Sequence, residues 1–359
     1  MVNVYKRLRE RLDQFPLGFP ETDSSIELEI LRRLFTPDEA EIMLFLKPVP
    51  EKVSLIAKRA GRNETELSEA LYRISRKGLI LRYRASNNDV YYFLAPWMIG
   101  IWEFQLNNLT EENVHLYEKY YQEAMVPFWR NLKTLGYRVI PVEKEIQANI
   151  EIQPYEKVSE IINSNSVFVV AECICRKEKR IIGGGCDKLL EACLGFGPTA
   201  AYCIENGLGR EISKEDAKNI LQKAEESGLI HFSSNHSGNK QFICNCCGCC
   251  CKALANITKY NNPRVIAKSN YYALMNGETC TSCGICLDRC QVNAIQIEKH
   301  LTFINTDRCI GCGLCASTCP AGAISMENKL PDESPAIFSN QIEMLQAIGR
   351  DTGKPFPFE

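Results

Sequence analysis

Cys280-Thr281-Ser282-Cys283-Gly284-Ile285-Cys286-Leu287-Asp288-Arg289-Cys290 and Cys309-Ile310-Gly311-Cys312-Gly313-Leu314-Cys315-Ala316-Ser317-Thr318-Cys319-Pro320 share one spacing, Cys-x2-Cys-x2-Cys-x3-Cys, at an offset of 29 residues. The flanks repeat too. Val292-Asn293-Ala294-Ile295 follows the first motif and Ala321-Gly322-Ala323-Ile324 the second, each reading as a turn that enters a short strand. An iron-sulfur cubane takes four thiolates. A Cys-x2-Cys-x2-Cys loop presents three of them before the chain turns away, so the fourth has to come from elsewhere.

On these eight cysteines, residues 279–327 resemble a bacterial-type two-cluster ferredoxin domain. The resemblance implies that each motif lends its last cysteine to the other's cluster. One 4Fe-4S cluster would then take Cys280, Cys283, Cys286 and Cys319, and the second Cys309, Cys312, Cys315 and Cys290. One position departs from the family pattern: Gln291 stands where proline usually follows the fourth cysteine, which removes no ligand.

A chain of 359 residues exceeds the usual domain size and suggests two or three domains. The 42 Lys and Arg against 44 Asp and Glu leave a net charge of −2, so no global basic field exists to hold nucleic acid or anionic lipid. The N-terminus lacks the apolar core of a signal peptide. The longest apolar run, Val90 to Trp102, is broken by Pro96 and is shorter than the roughly 20 residues of a spanning helix. These features predict a cytoplasmic protein without a membrane span, whose 19 cysteines are reduced thiolates on metal in an anaerobic cell rather than disulfides.

In the first hundred residues, Thr36-Pro37-Asp38-Glu39 predicts a capped helix running through Ile42, Leu44 and Leu46. A second helix through Val53, Ile56 and Ala57 ends at Gly61. A third starts at Asn63 and places Leu67, Leu71 and Ile74 on one face. Leu79–Arg84 and Val90–Leu94 then read as a hairpin. This order of elements resembles a winged helix-turn-helix over about residues 25–97. That resemblance implies either a recognition helix over Asn63–Lys77 with Arg82 or Arg84 on phosphates, or a dimerisation or docking module. Residues 51–86 carry nine Lys or Arg against four Glu, but Glu64, Glu66 and Glu69 on the third helix would repel phosphate, so nucleic acid is not the favoured partner.

The central region supplies ten more candidate ligands. Ser166–Ala171 reads as a buried strand that delivers Cys173 and Cys175. Cys186 and Cys193 follow three glycines and, on a helix, would lie two turns apart near one face. Cys244, Cys246, Cys247, Cys249, Cys250 and Cys251 pack six thiols into eight residues, with adjacent cysteines expected to point in different directions. This set predicts a third iron-sulfur cluster, with a structural zinc site or redox-active thiols as alternatives. Arg176 and Arg289 are candidate tuners of potential. The histidines His115, His231, His236 and His300 are too scattered to form a site by spacing, although His231 and His236 lie just before the cysteine run.

The combination AECICRKEKR, GCDKLLEACLGFG, ICNCCGCCC and the double motif resembles a family of 4Fe-4S binding proteins from anaerobic bacteria and archaea, over roughly residues 152–326. The expected architecture is α+β and multidomain: a winged-helix-like domain (1–100), a helical connector (101–165), a cysteine-rich α/β region (166–274), a ferredoxin-like two-cluster domain (275–330) and a tail (331–359). A short helix in that tail, Gln341 to Ile348, is expected to dock on the ferredoxin domain or a partner. The expected role is electron transfer, alone or as an oxidoreductase subunit, with a redox partner protein and a homodimer through the N-terminal domain. The alternative is a redox-sensing DNA-binding regulator.

Overall fold

The computed structural model describes residues 3–146, 152–299 and 301–358. His300 lies outside them. The chain mixes helix and sheet and divides into two units: Met1–Thr134 with Ala201–Leu208 and Leu345–Glu359, and Leu135–Ala200 with Gly209–Met344.

The first unit begins with α1 (Val4–Leu12), α2 (Ile26–Leu34) and α3 (Pro37–Met43). Thr36 and Glu39 form the reciprocal capping box at the start of α3, which satisfies two otherwise orphaned N–H groups. The helix stops at Met43, short of the expected Leu46. Next come the two-residue strand β1 (Glu51–Lys52), α4 (Val53–Ala60), closed by Gly61 at φ 62°, and α5 (Glu64–Arg76), capped by Asn63. Leu67, Leu71 and Ile74 are buried, as their spacing requires. β2 (Ile80–Arg84) and β3 (Val90–Leu94) pair antiparallel, and β1 adds to the far side of β3.

Seven of the nine basic residues in 51–86 lie within 4 Å of a carboxylate: Lys52, Arg59, Arg62, Arg73, Lys77, Arg82 and Arg84. Arg82 is buried, bonded to Ser75, Glu205 and Asn206, and so offers nothing to a phosphate.

Residues 101–165 are less helical than expected. After α6 (Glu111–Tyr120) and α7 (Val126–Asn131) comes a strand, β4 (Tyr137–Ile140), whose Val139 and Ile140 are buried in the sheet of the second unit. The last residues of the tail join the first unit: Lys354 pairs with Asp13 at 2.7 Å, Thr352 bonds the Pro16 carbonyl, and Phe358 meets Phe15 edge-on. The aromatics Phe356 and Phe358 pack on Phe15, in the segment that follows α1.

In the second unit, α8 (Val158–Asn163), β5 (Phe168–Glu172), α9 (Ile174–Ile181), β6 (Glu191–Phe196), β7 (Arg210–Glu211), α11 (Lys214–Glu226), β8 (Ile230–Ser234), β9 (Phe242–Cys246) and α12 (Lys252–Thr258) follow in order, with α10 (Gly197–Glu205), most of which belongs to the first unit, between β6 and β7. Their six-stranded antiparallel sheet runs β4-β8-β9-β6-β5-β7. Helices α8 and α11 cover one face, closing a core of Ile161, Ile162, Phe168, Phe196, Leu221 and Ile243. The last strands pair across the double motif: β10 (Tyr271–Met275) with the strand 324–328, and β11 (Ile295–Glu298) with β12 (Leu301–Ile304). Between them lies α13 (Ile285–Arg289). The strand Ile324–Asn328 is β13, and α14 (Gln341–Thr352) ends the chain's regular structure.

Beyond β8, Lys240 is buried and donates to the carbonyls of Ser234 and His236. Burial, reinforced by Lys240, lowers the His236 pKa from 6.5 to about 4. Below pH 6.5 the unfolded chain takes up a proton here that the folded chain refuses, so stability falls as pH drops through the window from 6.5 to 4. The expected loss at pH 5 is about 2 kcal/mol. Urea midpoints at pH 7 and 5, measured without oxygen, should differ less in His236→Gln than in the wild type. An equal drop in both would remove His236 as the cause.

Candidate metal centre

Four cysteines from both motifs, Cys280, Cys283, Cys286 and Cys319, line one cavity. Cys290, Cys309, Cys312 and Cys315 line a second. The rest of each lining is mostly apolar, including Ile285 and Ile324 in the first and Ile295, Ile304 and Leu314 in the second. The 29-residue repeat carries into backbone geometry. Ala294 N–H donates to Cys290 Sγ and Ala323 N–H to Cys319 Sγ, each at 3.2 Å. Left-handed backbone recurs at Ser282 and Gly311, Gly284 and Gly313, and Asn293 and Gly322.

Burial pushes the Cys312 thiol up to about 12 and also raises Cys315. These groups become thiolates only with positive charge among them, as metal ligation supplies. At the surface, the Thr302 hydroxyl holds Cys280 below its ordinary value. The donor set and the amides aimed at sulfur fit iron-sulfur clusters in both cavities.

The ten central cysteines separate into two groups. Cys186, Cys247, Cys249 and Cys250 place all their sulfurs within 4.8 Å of one another. Cys173, Cys175, Cys193, Cys244, Cys246 and Cys251 form a second group, with Cys246 and Cys251 buried and the rest half-buried, in which thiol contacts run Cys173 to Cys175 to Cys251 to Cys246 to Cys244 to Cys193. Strand alternation makes the division: Cys244 and Cys246, two apart on β9, face the same way, with Cys193 of β6 in register with Cys244. Cys247, at the next position, joins the other group.

Two expectations are therefore corrected. The segment from Cys186 to Cys193 is not helical: Cys186 lies in a loop and Cys193 in β6, because this stretch pairs with β5 and β9. Adjacent cysteines do not always diverge, since Cys249 and Cys250 have their sulfurs 3.7 Å apart at a turn.

Within these groups thiols share protons. The Cys250 thiol lowers its neighbour Cys247 to about 4, helped by the Arg176 guanidinium, while Cys250 itself is raised. Contact with Cys175 and Cys246 lowers Cys251, and the N–H groups of Ala253 and Leu254 assist.

Arg176 is buried at 1% exposure. Its Nη1 donates to the Asn245 carbonyl at 3.0 Å and reaches Cys247 Sγ at 3.7 Å, while Nε and Nη2 have no partner. Its charge acts on Cys173 and Cys246 of the six-thiol group as well as on Cys247. Two orphaned cationic donors among thiols fit an anionic sulfur ligand. Buried Lys252 pairs with buried Glu178 at 3.0 Å, tying α12 to α9.

His231 bonds Asn245 and Glu225, and His236 bonds Ser234, so both are committed to the scaffold. Arg289 donates to the Glu225 and Glu226 carbonyls at the end of α11. Cys203, on α10, belongs to the first unit.

A signal the sequence did carry is Gln291. Its side-chain carbonyl accepts the Gly248 N–H at 2.9 Å, and a Cβ on Gly248 would fall 2.2 Å from the Gln291 carbonyl oxygen. The turn Cys247-Gly248-Cys249 thus rests on the residue after Cys290. Proline at 291 would lack that side-chain acceptor.

Residues 273–326 match the 4Fe-4S dicluster domain family. That stretch holds all eight motif cysteines, and the chain is an iron-sulfur protein. The match covers 54 of 359 residues and describes this segment only. No curated protein matches the chain. Among the described residues no helix is long and apolar enough to cross a membrane.

Proposed function

We propose that this chain is an electron-transfer protein or oxidoreductase subunit carrying three cysteine-ligated iron-sulfur clusters. Cys280, Cys283, Cys286 and Cys319 would hold one 4Fe-4S cluster, Cys290, Cys309, Cys312 and Cys315 a second, and the group of Cys173, Cys175, Cys193, Cys244, Cys246 and Cys251 a third. When bound, such clusters accept and release single electrons. The observation that carries the reading is the lining of two like cavities by four cysteines each, three from one motif and one from the other.

The chain's own residues keep these sulfur sets in place. Ala294 and Ala323 aim N–H groups at sulfur and stabilise negative charge there. Arg176 brings a buried positive charge to the central thiolates. Gln291 holds the Cys247 turn beside Cys290. Cys283 and Ile285, both exposed, open the first cavity to the face where a redox partner would approach. The regulator reading loses the basic field that motivated it, because most of those cations are paired within the unit.

The test is iron and acid-labile sulfide per chain after anaerobic purification, with electron paramagnetic resonance. About twelve irons are expected in the wild type. Cys319→Ala or Cys290→Ala should each remove about four, and Cys246→Ala should abolish a separate signal. Eight irons unchanged by Cys246→Ala would eliminate the third cluster, and iron unchanged by Cys319→Ala would undo the ligand sets.

A further inference from the structure

We infer that Cys186, Cys247, Cys249 and Cys250 form a site for a single tetrahedral metal ion, zinc, separate from every cluster. The sulfur spacing distinguishes the two kinds of centre. Four thiolates on one zinc ion at about 2.3 Å stand at the corners of a tetrahedron with edges of about 3.8 Å. Three of the six separations are 3.7 Å between Cys249 and Cys250, 3.8 Å between Cys186 and Cys247, and 3.9 Å between Cys186 and Cys250, and the other three are within 4.8 Å.

In a four-iron cubane each thiolate binds a different iron, so its four sulfurs do not all converge on one point, and the six-thiol group, whose contacts run in a chain, does not converge in that way. The molecule supplies its own comparison. Among the described residues only this group brings three or more ligand atoms within 4.8 Å of one another, and neither ferredoxin-type cysteine set does so.

The surroundings are shaped for this convergence. Gly185, at φ 96°, turns the chain so that Cys186 enters beside Cys250, where a Cβ on residue 185 would already touch the Cys250 sulfur at 3.4 Å. Arg180 fixes the loop by donating to the carbonyls of Cys186 and Lys188 at 3.1 and 3.0 Å. Thr258 of α12 bonds the Gly248 carbonyl and braces the opposite turn. Cys247 and Cys250 are buried against Ala192, Ala224 and Leu229.

Zinc on four thiolates carries a net charge of −2, and Arg176 meets it at Cys247. Four protein sulfurs leave no open position, so the donor set is that of a structural site. Its role is to clamp the Cys186 loop to the turn that rests on Gln291.

The experiment is metal analysis of the anaerobically purified full chain, with zinc-edge X-ray absorption on the wild type, which needs no variant. The expected result is about one zinc per chain with four sulfur neighbours at about 2.3 Å. In Cys249→Ser, altered at the exposed ligand, and in Cys186→Ser, zinc should fall at least tenfold while the iron content and the ferredoxin-type resonance stay unchanged. The inference is overturned by a wild-type chain without zinc, by zinc in a nitrogen or oxygen shell, by loss of iron in place of zinc, or by a mononuclear iron signal that vanishes in Cys186→Ser. Iron retained at the double motif while zinc is absent would fault this site alone and leave the electron-transfer reading standing.

Discussion

Arg138→Ala will destabilise the second unit by about 3–5 kcal/mol, the cost of breaking a buried ion pair by removing one partner. Arg138 and Glu156 are 1% and 0% exposed and meet at 2.8 Å. The same guanidinium donates to Asn235 at 2.8 Å, Asn270 at 3.2 Å and the Pro335 carbonyl at 2.7 Å. It therefore joins β4, the end of β8, the chain entering β10 and the segment after β13. Glu156 in turn accepts the Asn270 N–H at 3.1 Å, one residue before β10 begins.

Removal of Arg138 strands the buried Glu156 carboxylate and the buried Asn235 acceptor, and leaves the half-buried acceptors of Asn270 and Pro335 without this donor. The loss should register first as a lowered urea midpoint and then as iron released from the double motif, since β10 forms one wall of it. Adding Glu156→Gln to an Arg138→Met variant should recover part of the loss, because the uncompensated charge is gone. Equal midpoints for Arg138→Ala and the wild type would contradict this account.

What could be read from the sequence was local. The Cys-x2-Cys-x2-Cys-x3-Cys spacing lies within one loop and a short helix, and the Thr36 and Asn63 caps involve neighbours two or three residues away. Arg82 shows the opposite case: as a strand residue in a basic stretch it looked available, yet its carboxylate partner is Glu205, more than 120 residues downstream. The seven-residue step from Cys186 to Cys193 suits two helical turns as well as a loop entering a strand, and pairing with Cys244 decides between them. The division of the ten thiols was partly legible, because Cys244 and Cys246 share a strand face while Cys247 cannot. The sulfur contacts that separate a single-ion site from a cluster come from the folded turn and were not. Arg138, at the centre of the second unit, gave no signal at all, since a lone arginine in Tyr-Arg-Val-Ile reads as solvated.

Gly311→Ala should be nearly as damaging as loss of Arg138, while the matching change in the other repeat, Ser282→Ala, should cost only the side-chain hydrogen bond that Ser282 makes to Cys280. The two positions are equivalent by the 29-residue offset and both have left-handed backbone, at φ 70° and 54°. They differ in their surroundings. A Cβ on Gly311 would lie 2.1 Å from the Tyr271 carbonyl oxygen and 2.2 Å from Ser269 Oγ, and the former is backbone that cannot step aside cheaply. Ser269 also donates to the Gly311 carbonyl at 2.6 Å, so any shift of the loop breaks that bond too.

Left-handed strain of about 1–2 kcal/mol adds to an overlap costing about 1–3 kcal/mol. The total should appear as loss of roughly four irons, those of the Cys309, Cys312 and Cys315 loop. In the first repeat a side chain already occupies the equivalent position, so the left-handed cost is present in the wild type, and Ser282→Gly should relieve about 1 kcal/mol of it, offset by loss of the side-chain hydrogen bond to Cys280. Iron content and urea midpoints of the three variants decide the matter: a Gly311→Ala protein with full iron would mean that the second loop has more freedom than its packing against Tyr271 allows.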